Sequence, residues 1–122
     1  MVKTTTPYWN PLRVENADQW SAIADTNGMI EQITLAVDEK TGDYTRLTRF
    51  KAGADTTAIG PQVHHYPEEI FIVSGQLYDQ AFDRWLEPGD YASRPPGEVH
   101  GPFQAKTDCI VLECSYPNAA ST

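Results

Sequence analysis

From about residue 29 onward, apolar residues come in short runs broken by turn-forming residues, and no run shows a sustained 3.6-residue period. MIEQITLAV and YTRLTRF read as short β-rich runs, and the Gly-containing connector DEKTGD between them predicts a hairpin. KAGADTTAIGP reads as a loop, QVHH and EEIFIVSG as strands, with Gly75 punctuating the second. QLYDQAFDRWLEPGD carries short strands and a Pro88-Gly89 turn, and YASRPPGEVHGPF and DCIVLECSY complete the set. Short strands at this spacing predict an all-β sandwich or barrel. One helical candidate remains, ENADQWSAIAD, with Asn16 or Asp18 as its cap and Trp20, Ile23 and Ala24 on one side. The ends, through about residue 12 and after Pro117, are expected to be ordered only by docking or partner contacts.

Length and composition narrow the picture. At 122 residues the chain predicts one domain, 1–122, with a core it can bury without disulfides. Net charge is −8, which argues against binding a nucleic-acid backbone or an anionic membrane surface. There is no apolar run near the ~20 residues a membrane span needs, and MVKTTTPYWNPL lacks a secretory apolar region, so a cytoplasmic location is expected. Cys109 and Cys114 would lie ~16 Å apart on one strand, out of disulfide reach, and are read as reduced, buried small residues.

Candidate chemistry concentrates in QVHHYPEE, residues 62–69. Neighbours on an extended chain point to opposite faces, so these side chains cannot all address one ion. Alternation along EEIFIVSG puts Glu68, Ile70 and Ile72 on one face and groups them with Gln62 and His64. Val63, His65 and Glu69 form the other set, and hydrophobicity alone does not choose between the two.

A second stretch, GDYASRPPGEVHGPFQ, decides the register. Gly89, five residues, Pro95, one residue, Gly97, two residues and His100 reproduce the core of the second motif of the cupin superfamily. The family's terminal Asn position holds Gln104. Its first motif, H-x-H-x3-4-E-x6-G, counted back from Gly75, selects Glu68, His64 and, at the first histidine position, Gln62. Over about residues 29–116 the chain resembles small single-domain cupins similar to the zinc-binding domain of anti-sigma factors and to acetylacetone-cleaving dioxygenases. Two departures stand out: a longer loop between Gly53 and Gln62, and glutamine in place of the first histidine.

The resemblance implies a cupin jelly roll holding one divalent metal at His64, Glu68 and His100. Gln62 would be a fourth, weak ligand or a residue guarding that position. Two imidazoles and a carboxylate match the ligand set of non-haem Fe(II) oxygenases and also suit Zn, Mn or Ni. Function is expected to be oxidation or cleavage of a small enolisable carbonyl compound, with Ile70, Ile72, Phe103 and Leu112 as an apolar pocket wall. A redox-neutral isomerase or lyase using Glu68 as proton-transfer base, or a non-catalytic metal- or ligand-binding module, is the alternative. The resemblance further implies a homodimer. His65 and Glu69 are read as an exposed pair or as supporting groups. Tyr66, Tyr78, Tyr91 and Arg94 are read as lining the pocket mouth or binding a carboxylate, or else as plain packing and surface, and Trp9, Trp20 and Trp85 as core or interface packing.

Overall fold

The computed structural model describes residues 2–117; the segment after Pro117 lies outside them. Nine strands follow a short 3-10 helix, Val14–Gln19: β1 Ser21–Ala22, β2 Ile30–Val37, β3 Tyr44–Phe50, β4 Glu68–Ser74, β5 Leu77–Asp79, β6 Arg84–Leu86, β7 Tyr91–Arg94, β8 Phe103–Ala105 and β9 Cys109–Ser115. They form two antiparallel sheets, one ordered β1-β2-β3-β9-β4-β7 and one β6-β5-β8. The hairpin expected around DEKTGD is there: β2 and β3 pair from Ile30↔Phe50 to Val37↔Tyr44, with a bulge between Thr34 and Ala36.

Burial of alternate residues fixes which face of each strand looks inward. Ile30, Phe50, Ile70, Ile72, Cys109 and Val111 of the large sheet meet Leu77, Phe103 and Ala105 of the small one in the main core. The opposite face of the large sheet carries a second apolar cluster of Trp20, Ile33 and Leu47, with Trp9, Leu35, Ile110 and Leu112 packed on it. Both thiols are free, and burial pushes that of Cys109 up to about 11.

Two expectations change here. The segment from Glu15 to Asp25 does not make an α-helix capped at Asn16 or Asp18; the 3-10 helix starts after Arg13 without a side-chain cap. The chain then turns extended, so that Ser21 and Ala22 pair with Gln32 and Glu31. Trp20 decides this. It buries its ring in the outer cluster, donates its indole N–H to the Pro11 carbonyl at 3.1 Å and lies under the Arg49 guanidinium at 4.1 Å. Tertiary packing of that kind outweighs a weak local helical preference. The other change concerns QVHH, which contributes one isolated bridge, Gln62↔His100, rather than a strand. The N-terminal arm docks within the chain, Thr4 and Thr6 bonding to Val37 and Leu35 on β2.

Among the glycines, Gly75 lies closest to neighbouring backbone. Its φ is +80°, and an added Cβ would lie 2.0 Å from the Asp108 carbonyl oxygen and 2.6 Å from Cys109 Cα. Gly42 has a similar φ of +81° but open space around it. Gly75→Ala is therefore expected to destabilise the protein by about 3 kcal/mol or more, from backbone strain plus a clash no rotamer relieves. Gly42→Ala pays strain alone, about 1 kcal/mol. Urea unfolding of the two variants checks the difference.

Candidate metal centre

The inner face of the large sheet changes character along its length. Tyr44, Arg46 and Thr48 on β3, Glu68 on β4 and Glu113 and Ser115 on β9 point to the same side as the core residues but gather at one end. Register places Arg46 opposite Glu113 and Glu68 opposite both Ser115 and Arg94. Opposite this polar end, Gln62 and His100 are direct partners, exchanging both N–H···O bonds at 2.7 and 3.0 Å. The His64 carbonyl accepts the Gly97 N–H at 2.8 Å. Turn chemistry thus ties the two histidine-bearing segments together before any side chain meets.

His64, Glu68 and His100 each offer a ligand atom, and these atoms lie within 4.8 Å of one another. Glu68 and His100 are buried and His64 is half-buried. The imidazole rings of His64 and His100 are 5.0 Å apart. Burial holds the His100 pKa down to about 4, aided by the positive charge of Arg94; burial and the Arg46 charge lower that of His64. Both rings are thus neutral, the form that ligates a metal. Burial and the nearby Glu113 charge raise the Glu68 pKa, against the pull of Tyr44, Arg94 and Arg46. The cluster fits a divalent ion. Among the described residues only two buried side-chain polar atoms lack a partner, and one is His100 Nδ1. A cation would also relieve the cost of burying the Glu68 carboxylate.

Around this cluster runs a hydrogen-bonded frame. Tyr44 donates its hydroxyl to Glu68 Oε2 at 2.5 Å and lies 3.1 Å from the Tyr66 hydroxyl, while Tyr66 stacks on His64 at 4.7 Å. The Arg46 guanidinium sits 3.8 Å over the Tyr44 ring and bonds Glu113 at 2.6 Å. Asp79, fully buried, accepts the Ala81 and Gly101 N–H groups at 3.0 and 2.9 Å, anchoring the chain just after His100. An inner cavity of about 40 Å³, room for a water or two, touches His64, Glu68, His100 and Arg94. A larger one of about 240 Å³ adjoins it, with Gln62, His64 and His100 among its lining.

The sequence-derived residues sort accordingly. Ile70, Ile72 and Phe103 line the inner cavity. Leu112 does not: β9 alternation turns it into the outer cluster, and Val111 and Glu113 take the inward places. Gln62 lines the larger cavity and sends its amide N–H toward the Gly60 carbonyl at 3.4 Å. His65 is exposed with its ring edge-on to Tyr66, and Glu69 turns outward to accept the Tyr91 and Tyr116 hydroxyls. Tyr78 and Trp85 pack together away from the site. Tyr44, Glu113 and Asp79 went unremarked in the sequence. The inward parity of β3 and β9 could have flagged the first two.

A family model described as the ChrR cupin-like domain matches residues 12–117. An RmlC-like cupin from Shewanella frigidimarina aligns over all of both chains with 18% identity and a TM-score of 0.67. An acetylacetone dioxygenase from Acinetobacter johnsonii aligns over 98% of this chain and 83% of its own, with 13% identity and a TM-score of 0.67. The complex of SigE with the anti-sigma ChrR from Rhodobacter sphaeroides supplies a further match, over 86% of this chain and 52% of that one, at 19% identity and a TM-score of 0.63. No curated protein sequence matches. These likenesses establish the jelly-roll fold.

The neutral His100 has a measurable consequence. In the metal-free protein the folded chain keeps His100 unprotonated down to about pH 4, whereas the unfolded chain takes up the proton near its ordinary 6.5. Stability from this group is present above pH 6.5 and lost as pH falls toward 4, by up to about 3 kcal/mol. Glu68, shifted upward, works in the opposite direction, so the comparison is made against metal-free His100→Gln, which retains Glu68. Urea titrations across pH 4–7 should show wild type losing ground to the variant as pH falls.

Proposed function

The chain belongs to the ChrR cupin-like domain family, and from that premise we propose a mononuclear metal-dependent enzyme that oxidises or cleaves a small enolisable carbonyl compound. The observation that carries this reading is the convergence of two neutral imidazoles and one carboxylate beside a cavity of molecular size. His64, Glu68 and His100 would hold the ion. An Fe(II) ion, or Zn, Mn or Ni in its place, would supply Lewis acidity and a template for two substrate oxygens, with Fe(II) adding dioxygen chemistry.

The remaining groups have separable tasks. Phe50, Ile23, Ile30 and Ile59 along the larger cavity keep water from the carbon skeleton of a substrate, and about 240 Å³ limits that substrate to roughly a dozen heavy atoms. Gln62, which lines the larger cavity with both histidines, would guard or occupy a fourth position with a neutral amide oxygen. Tyr44 holds Glu68 by one oxygen, so that the carboxylate keeps a single orientation. A fold neighbour named as an acetylacetone dioxygenase makes a β-dicarbonyl the first substrate class to try.

Elemental analysis should give close to one divalent ion per chain. His64→Ala and His100→Ala should lose it, and His65→Ala should keep it; the reverse would overturn the assignment. Gln62→His is expected to bind metal more tightly. Tyr44→Phe should weaken metal binding about 10- to 100-fold while leaving the far-UV circular dichroism unchanged. Oxygen uptake by Fe(II)-loaded protein with a panel of 1,3-diketones tests the reaction itself. Stoichiometric zinc with no turnover on any of them would instead point to a binding module.

A further inference from the structure

Arg94 is the second buried group without a full set of partners. It ends β7, its side chain is 8% exposed, and its Nε finds no acceptor among the described residues. Its contact with Glu68 is loose, 3.7 Å from one terminal nitrogen to Oε1, beyond a hydrogen bond. Its guanidinium otherwise faces the Phe103 ring at 6.0 Å. A buried guanidinium donor left unpaired is costly, and arginine cannot shed its proton to escape the cost.

The two orphaned atoms belong together. His100 Nδ1 lacks a partner and Arg94 Nε–H lacks an acceptor, and both residues line the same 40 Å³ inner cavity. A metal ion, being a cation, cannot accept from the Arg94 donor. The charge count around the cavity points the same way. Arg46 and Glu113 cancel each other across a 2.6 Å ion pair, and Glu68 offsets one positive charge, so Arg94 and a divalent ion leave an excess of positive charge in a buried space. Water alone would meet the geometry but not the charge.

We propose that Arg94 is an anion-anchoring residue, so that the site takes its small-molecule ligand as an oxyanion, enolate or carboxylate, with one oxygen in the inner cavity against Arg94. The apolar body lies in the larger cavity beyond. This rests on the metal reading above and narrows it: neutral ketones, alcohols and amides of the same size are excluded, and a substrate has to ionise as it binds or arrive ionised. Arg94 acts on the ligand directly, through a planar donor set suited to an oxygen anion, whereas lysine would supply charge without that fork.

Zinc-loaded protein, which is redox-silent, provides the test by isothermal titration calorimetry with acetylacetone, malonate and malonamide, zinc content being measured in each sample. Wild type should bind at least one of the two acids and not the neutral malonamide; which acid binds separates an enolate from a carboxylate preference. Arg94→Met should retain zinc and lose about ten-fold or more in affinity for that acid. Arg94→Lys, the milder change, should hold zinc and bind several-fold more weakly than wild type. Equal affinities in wild type, Arg94→Met and Arg94→Lys at equal zinc content would overturn the anchoring role. So would malonamide binding as tightly as malonate. If wild type takes up no zinc, the metal reading falls and this inference with it; if it takes up zinc but neither acid, only this inference falls.

Discussion

Burying the Glu68 carboxylate is the demand around which this molecule is arranged. A carboxylate deep in an apolar sandwich costs several kcal/mol unless hydrogen bonds and positive charge surround it. Each neighbouring element brings something. β3 contributes the Tyr44 hydroxyl and the Arg46 charge, β7 contributes Arg94, and the turns leading to His64 and His100 bring two neutral rings. The groups that soften the burial also leave the carboxylate short of full compensation, as its raised pKa records. That deficit is the thermodynamic pull on a cation.

Rigid pieces hold the site. Glu68, Tyr44 and Arg94 sit on paired strands whose register is set by the core on the same face, so their spacing is inherited from the sheet. The histidines come from loops, but from loops bonded to each other through Gln62, His100, Gly97 and the His64 carbonyl, and pinned from behind by Asp79. Catalytic and metal-binding positions commonly lie on loops supported by a stiff scaffold. Here the support is mostly backbone, which explains how glutamine can stand at position 62 without loosening its neighbours: its structural work is done by its main chain.

Much of this was legible in the sequence because strand parity and turn glycines are local signals. Alternation in EEIFIVSG separated Glu68 from Glu69, and the cupin motif counted back from Gly75 selected His64 over His65; in the fold Glu68 is buried at the inner cavity and Glu69 turns outward. Apolar character by itself does not tell a core-facing position from an outward one. In a sheet with apolar clusters on both sides, Leu112 belongs to the outer one, and β9 turns Glu113 inward instead. β3 hid its role for the same reason. Its inward residues from Tyr44 to Thr48 are polar, which on hydrophobicity alone reads as a solvent face. The lost helix is a different failure, a local preference overruled by Trp20 packing far along the chain.

Gly75 makes the strand before it a ruler. With its backbone wedged against Asp108 and Cys109, the end of β4 cannot slide, so the six positions Glu69–Ser74 measure a fixed distance back to Glu68. A one-residue insertion or deletion within that interval would turn Glu68 out to solvent and Glu69 in. The loop from Gly53 to Gln62 is bonded to β8 through Gly53, Ala54 and Thr56, but positions 57–61 beyond them carry no such stop and can vary in length at small entropic cost. In evolutionary terms the two segments should drift under different rules: substitutions without length change in the strand, length change without loss of the centre in the loop. A lineage can thus reshape the rim of this pocket, and the molecules it admits, while the carboxylate at its floor stays where the glycine put it.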